Sequence, residues 1–113
     1  MYYVYMLKCI DESIYTGSAK DVTKRIKEHF GGGARCAKYT RSHPPKEVVA
    51  ILTCETKSDA IKIEYRIKTM TKSEKENFCK TGEIPEKIKA VLDGIAFSRL
   101  TGDKFQALLP NNG

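Results

Sequence analysis

The sequence predicts an α+β fold: a small sheet with helices packed on it, in the order β-β-α-β-α-α, followed by a C-terminal extension. Three observations carry this. Tyr2–Cys9, YYVYMLKC, is rich in aromatic and branched residues and turns back at once, which reads as a hairpin. An amphipathic run with a capping aspartate, Asp21, follows it. Then VVAIL, residues 48–52, reads as a buried strand with two helix starts behind it.

The hairpin comes first. Ile10-Asp11-Glu12 is a three-residue turn that pairs Cys9 with Ser13 and Leu7 with Tyr15, and 13–17 is the returning strand. Tyr3, Tyr5, Leu7 and Cys9 alternate onto one face, so this register makes Tyr5 and Tyr15 diagonal neighbours. A turn one residue longer or shorter would separate them. Asp21 caps a helix over 22–30 with Val22, Ile26 and Phe30 as its apolar stripe, and Gly31-Gly32-Gly33 ends it. Residues 34–39 read as one short helical turn, and Ser42-His43-Pro44-Pro45 as a loop. After the strand at 48–52, Thr56 or Ser58 caps a helix that runs to about residue 70. Ser73 with Glu76 matches the capping-box pattern for the next helix, which stops near Gly82. Pro85 suits the first turn of a helix over 85–93, with Ile88, Val91 and Leu92 on one side. The last stretch, GIAFSRLTGDKFQALLPNNG, has apolar residues but no strong period. The expected organisation is a domain over 1–82 and an extension over 83–113 that packs on it.

A formal charge of +6 favours an anionic partner, nucleic acid first; the plainer reading is solubility. No apolar run approaches the ~20 residues of a membrane span, and the N-terminus lacks a signal-peptide pattern. A cytoplasmic location without a membrane partner is expected. The cysteines Cys9, Cys36, Cys54 and Cys79 form no CxxC pair and the two histidines do not complete zinc-finger spacing, so reduced thiols are expected rather than a zinc site.

Some residues are out of place for a plain core. At ~100° per residue from Ala60, Ile63 and Ile67 fall within ~60° on one side, and Glu64 falls at ~40°, inside the apolar arc. A carboxylate there is costly unless it is paired or binds a cation. Lys68, four residues on, is the ordinary partner. Arg25 and His29 are likewise four apart and border the first helix's stripe; they sit either at the core's edge or together in a cleft beside the sheet.

Taken together, Tyr3-Val4-Tyr5, Tyr15-Thr16-Gly17, Arg25, His29, AKYTR (37–41) and IEYRIK (63–68) resemble the GIY-YIG nuclease domain, in particular its small stand-alone bacterial members. The resemblance covers about residues 2–80. It implies a three-stranded antiparallel sheet packed with helices, and metal-dependent hydrolysis of DNA phosphodiesters. By position, Tyr5 and Tyr15 match the two motif tyrosines, Arg25 the catalytic arginine, Glu64 the metal-binding glutamate, and His29 a histidine found in many members. The implied cofactor is one Mg²⁺ or Mn²⁺ ion on Glu64, since such hard cations take oxygen ligands and keep several waters. Arg25 would fork onto phosphate oxygens. Gly17 would let the backbone approach the phosphate. Lys20, Lys24, Lys27, Lys38, Tyr39 and Arg41 are the candidate nucleic-acid contacts. Tyr3 stands where the family name has glycine, and Ser18 where repair-type relatives carry lysine.

Two other classes fit less well: a catalytically weak nucleic-acid-binding module, and a protein-interaction domain. In the second, Phe97, Leu100, Phe105, Leu108 and Leu109 would form a homodimer contact instead of packing on their own domain.

Overall fold

The computed structural model describes residues 1–33 and 35–110. The elements are β1 (Tyr2–Cys9), β2 (Ile14–Ala19), α1 (Val22–Gly31), α2 (Lys38–Ser42), β3 (Pro45–Cys54), α3 (Lys57–Lys68), α4 (Lys72–Thr81), α5 (Glu86–Val91), β4 (Phe97–Arg99) and α6 (Gly102–Ala107). The sheet has four antiparallel strands in the order β2-β1-β3-β4, not three. The fourth was missed because three residues are too few to show alternation. They pair because β3 offers an unused edge: Leu52, Thr53 and Cys54 oppose Arg99, Ser98 and Phe97, and Leu100 N–H adds a bond to the Ile51 carbonyl at 2.9 Å.

The hairpin has the expected register. Leu7 opposes Tyr15, and Cys9 N–H donates to the Ser13 carbonyl at 2.8 Å. Glu12 takes a positive φ of 71° to close the turn, and Asp11 accepts from the Ser13 amide and hydroxyl. In the β1–β3 pairing, a register shift between Met6 and Leu7 leaves Val49 unpaired and sends it to the same core as its neighbour Ala50, with Val48 on the other.

Two cores result. On one face, Val4, Met6, Ala50 and Leu52 meet Ala60, Ile63 and Ile67 of α3, Phe78 of α4 and Ile88 of α5. On the other, Tyr5, Leu7 and Ile51 meet Val22 and Ile26 of α1. Leu100, Phe105, Leu108 and Leu109 pack against that second core, and Thr23 Oγ1 donates to the Leu108 carbonyl at 2.6 Å. These apolar residues therefore meet their own chain, and a homodimer contact through them finds no support.

Other local expectations shift. Thr56, not Ser58, caps α3. The capping box is Thr71 with Glu74, two residues before the predicted Ser73 and Glu76; both reciprocal bonds form there, at 3.1 and 2.9 Å. The turn predicted over 34–39 is replaced by α2, which starts at Lys38; Ala34 lies outside the described residues. Pro85 is the N-cap of α5, and Val91 is exposed.

Candidate active site

Each site residue arrives on its own element. Neighbouring strands β1 and β2 carry Tyr5 and Tyr15, whose ring centroids lie 6.4 Å apart. Gly17 sits opposite Tyr5 in the ladder. A Cβ there would stand 2.5 Å from the Tyr5 hydroxyl oxygen and 3.0 Å from the Tyr15 ring. The room that Gly17 leaves is thus filled by the end of Tyr5, rather than left open to a phosphate.

The first helix turns a different face inward from the one predicted. Val22, Ile26 and His29 are buried, and Phe30 is 42% exposed. Seven positions return a helix to within ~20° of its start, whereas eight overshoot to ~80°. The sequence places His29 at the border of the stripe, and the helix buries it. It is tolerated because both ring nitrogens are bonded: Nε2 lies 2.6 Å from the Tyr5 hydroxyl, and Nδ1 lies 2.7 Å from Thr40 Oγ1 on α2. Its ring also lies 5.1 Å from that of Tyr15.

Arg25, one turn before His29, stands at the mouth of this cluster. Its Nη1 donates to Glu28 at 3.0 Å and to the Arg35 carbonyl, which fixes the guanidinium from behind. Burial works against its charge, but Glu28 and Tyr5 outweigh burial and leave its pKa above the ordinary value. From the other side α3, packed on β1 and β2, brings Glu64. The Glu64 side chain is 21% exposed, and Lys68 holds its Oε2 at 2.7 Å.

Burial pushes the Tyr5 hydroxyl well above the usual tyrosine value; Tyr15 and Glu64 add to this and Arg25 opposes it. Burial also raises Tyr15, with Lys68 and Arg25 pulling it back and Glu64 pushing it further. Both tyrosines are therefore neutral at neutral pH. His29 is pushed down to about 4, first by burial and then by the Arg25 charge, with Glu28 opposing, so it too is neutral.

Tyr39 lies outside this group but continues it. Its ring stacks on Tyr15 at 5.7 Å and on His43 at 4.1 Å, and it is 38% exposed. Lys20, Lys24 and Lys38 are exposed. Arg41 is exposed too, with a bond to the Cys36 carbonyl at 3.4 Å. Lys27 goes elsewhere, into a groove with Phe30, Phe105 and Leu109 that none of Tyr5, Tyr15, Arg25, His29 or Glu64 lines.

No group of three or more His, Cys, Asp or Glu suited to a metal occurs among the described residues. A lone carboxylate is a sparse donor set, compatible only with a hard divalent ion that keeps most of its waters, and Lys68 already engages the Oε2 of Glu64.

Residues 1–77 match the family model described as the GIY-YIG catalytic domain. The chain belongs to the GIY-YIG family. It is 45% identical over 78 residues to the UPF0213 protein of Cupriavidus necator, covering 69% of this chain and 83% of that one. It is 47% identical over 76 residues to that of Fusobacterium nucleatum (67% and 74%), and 46% identical over 81 residues to that of Staphylococcus epidermidis (72% and 96%). A solution NMR structure of a UPF0213 protein from Bacillus halodurans matches 82% of this chain and 98% of its own, at 37% identity and a TM-score of 0.47. GIY-YIG domains are nuclease domains, so nucleic acid is the substrate class. No helix among the described residues is long and apolar enough to cross a membrane.

Sequence reasoning missed Thr40 and Cys36 at this site, while the Glu64–Lys68 pair it named as the ordinary alternative does form. Thr40 sat inside AKYTR, where the basic and aromatic neighbours drew the functional reading. Lys68 entered only as the plain partner of Glu64, although its charge also reaches Tyr15. Cys36 Sγ lies 3.0 Å from Thr40 Oγ1, a contact with no signal along the chain.

Proposed function

We propose that this protein is a divalent-metal-dependent DNA endonuclease and that Tyr5, Tyr15, Arg25, His29 and Glu64 form its site. The observation that carries the reading is the 2.6 Å contact between Tyr5 and a neutral, buried His29, beneath a guanidinium held at the mouth. A buried tyrosine that starts protonated is a poor base by itself. With an acceptor behind it, it becomes a relay: water attacks phosphorus, its proton passes to the Tyr5 oxygen, and the Tyr5 proton passes to His29 Nε2. The bond from phosphorus to the leaving oxygen breaks as the new one forms, and that oxygen departs as an alkoxide that takes a proton from solvent. Arg25 forks onto the phosphate oxygens as charge builds there. Tyr15 closes the opposite wall, and the Tyr39 ring extends it outward. Glu64 would hold one Mg²⁺ or Mn²⁺, which would supply positive charge to the phosphate.

The Glu64–Lys68 pair favours a second reading, a binding module whose carboxylate is already satisfied. One experiment separates the two. Purified protein is incubated with supercoiled plasmid and a panel of branched oligonucleotides in Mg²⁺, Mn²⁺ or EDTA, beside Glu64→Ala. The nuclease reading expects cleavage that EDTA and Glu64→Ala both abolish. DNA binding without cleavage under every condition supports the module, and a Glu64→Ala variant as fast as the parent returns Glu64 to a structural ion pair.

A further inference from the structure

The buried hydroxyl of Thr40 is the polar group in the cluster that the proposed reaction leaves unused. It is 1% exposed, on a helix of five residues that otherwise shows its side chains to solvent. Its Oγ1 meets three groups: His29 Nδ1 at 2.7 Å, Cys36 Sγ at 3.0 Å and the Ala37 carbonyl at 3.2 Å.

Proton counting gives this cluster one direction. A neutral imidazole carries one N–H, and the other nitrogen is an acceptor. The Tyr5 hydroxyl is buried, and the groups that hydrogen-bond it among the described residues are His29 and Arg25. An arginine offers only donors, so the hydroxyl proton points to His29 Nε2. That leaves Nε2 bare and places the ring proton on Nδ1, aimed at Thr40 Oγ1. Oγ1 then accepts, and its own hydrogen goes to the Ala37 carbonyl. The opposite tautomer would set an N–H against the Tyr5 oxygen, leave the Tyr5 proton without an acceptor among the described residues, and turn Thr40 away from Ala37.

We propose that Thr40 is a positioning residue that sets the His29 tautomer: by accepting the Nδ1 proton it keeps Nε2 free to receive the proton of Tyr5. The proposal rests on the nuclease reading for its consequence in turnover, but the tautomer itself is measurable without any substrate. Thr40 touches neither substrate nor metal in this scheme and acts only through His29.

The test is ¹⁵N NMR of the two histidine rings in the full chain, with Thr40→Val and Thr40→Ser beside the parent and His29→Gln to assign the signals. In the parent, His29 Nδ1 should carry the proton and Nε2 should resonate as a bare nitrogen. Valine matches threonine in shape but accepts nothing, so Thr40→Val should give a mixed or reversed tautomer. With DNA and Mg²⁺ or Mn²⁺, it should lose at least ~10-fold in kcat while KM stays within a few-fold. Thr40→Ser should restore both spectrum and kcat. A parent with the proton on Nε2 overturns the proposal even if the valine variant does not fold. So does a folded Thr40→Val with an altered tautomer and full turnover. A parent with the expected tautomer that cuts no DNA with either metal overturns the nuclease reading instead.

Discussion

Arg25 can act on a phosphate in two ways: it can hold the ground state, or it can stabilise the extra charge of the transition state. Only the second raises turnover. Its guanidinium is fixed from behind by Glu28 and the Arg35 carbonyl, and its charge acts on the Tyr5 hydroxyl, which in the proposed scheme would put it beside the phosphate. Lysine would keep the charge and lose the planar fork. Arg25→Lys is expected to bind DNA within a few-fold of the parent and to cleave at least ~100-fold more slowly. Filter binding and single-turnover cleavage would check this, and equal losses in both would make Arg25 an ordinary phosphate anchor. His29 adds a prediction in pH. An unfolded chain protonates histidine near ~6.5, and the folded protein holds His29 down to about 4. Between those values the unfolded chain binds a proton that the fold refuses, so stability is full above pH ~6.5 and falls as pH drops towards ~4, by roughly 3 kcal/mol. Asp11, Glu12 and Glu74 also have lowered pKa values and tilt the curve in the same sense at lower pH. The comparison is therefore urea denaturation of the parent and His29→Gln at pH 7 and 4.5. The variant should lose distinctly less stability; parallel curves would mean His29 is not held neutral.

At the scale of elements, the hairpin aligns the site. Turn length sets register, register makes Tyr5 and Tyr15 diagonal neighbours, and Gly17 lets the Tyr5 ring lie flat across β2. This much was legible, because alternation and turn length are read from adjacent residues. The role of Gly17 was not: the sequence calls for a small residue, and only the packed pair reveals that Tyr5 takes the space. Gly17→Ala is expected to push the Tyr5 hydroxyl off His29 Nε2 and cut cleavage about 100-fold, the scale of a ~1 Å misplacement. Overpacking should cost ~1–3 kcal/mol in the same variant. Cleavage rates and urea midpoints would check both, and a variant that keeps the parent's rate would detach Tyr5 geometry from turnover. The first helix shows the same limit. Its boundaries followed from Asp21 and the glycines, yet its inward face was misassigned from His29 to Phe30. A hydropathy pattern penalises a buried imidazole that two hydrogen bonds from other elements make acceptable.

Across the whole molecule the basic residues do not all serve one surface. Lys38 begins α2, beside the Tyr39 ring that stacks on Tyr15, whereas Lys27 lines the groove between α1 and α6. DNA affinity is expected to fall with salt by about 0.9 log unit per log unit for each phosphate neutralised. Lys38→Ala should therefore lower that slope by about 0.9, and Lys27→Ala should leave it unchanged. Fluorescence anisotropy over a salt series would check this; equal changes would place the DNA across both faces, and binding indifferent to salt would count against a nucleic-acid substrate.

The α+β order, the hairpin register, the end of the first helix and the family motif were all decided by residues close together in the chain. Their causes are local: side chains alternate along a strand, caps bond within one turn, and glycine disfavours helix wherever it stands. Packing alone decided the rest. The fourth strand exists because β3 has an edge to offer. His29 is buried because Tyr5 and Thr40 arrive on either side of its ring. The Glu64 charge reaches the tyrosines because α3 packs on β1 and β2. Each of these depends on partners distant in sequence, whose meeting becomes favourable only once the two cores have closed around the sheet.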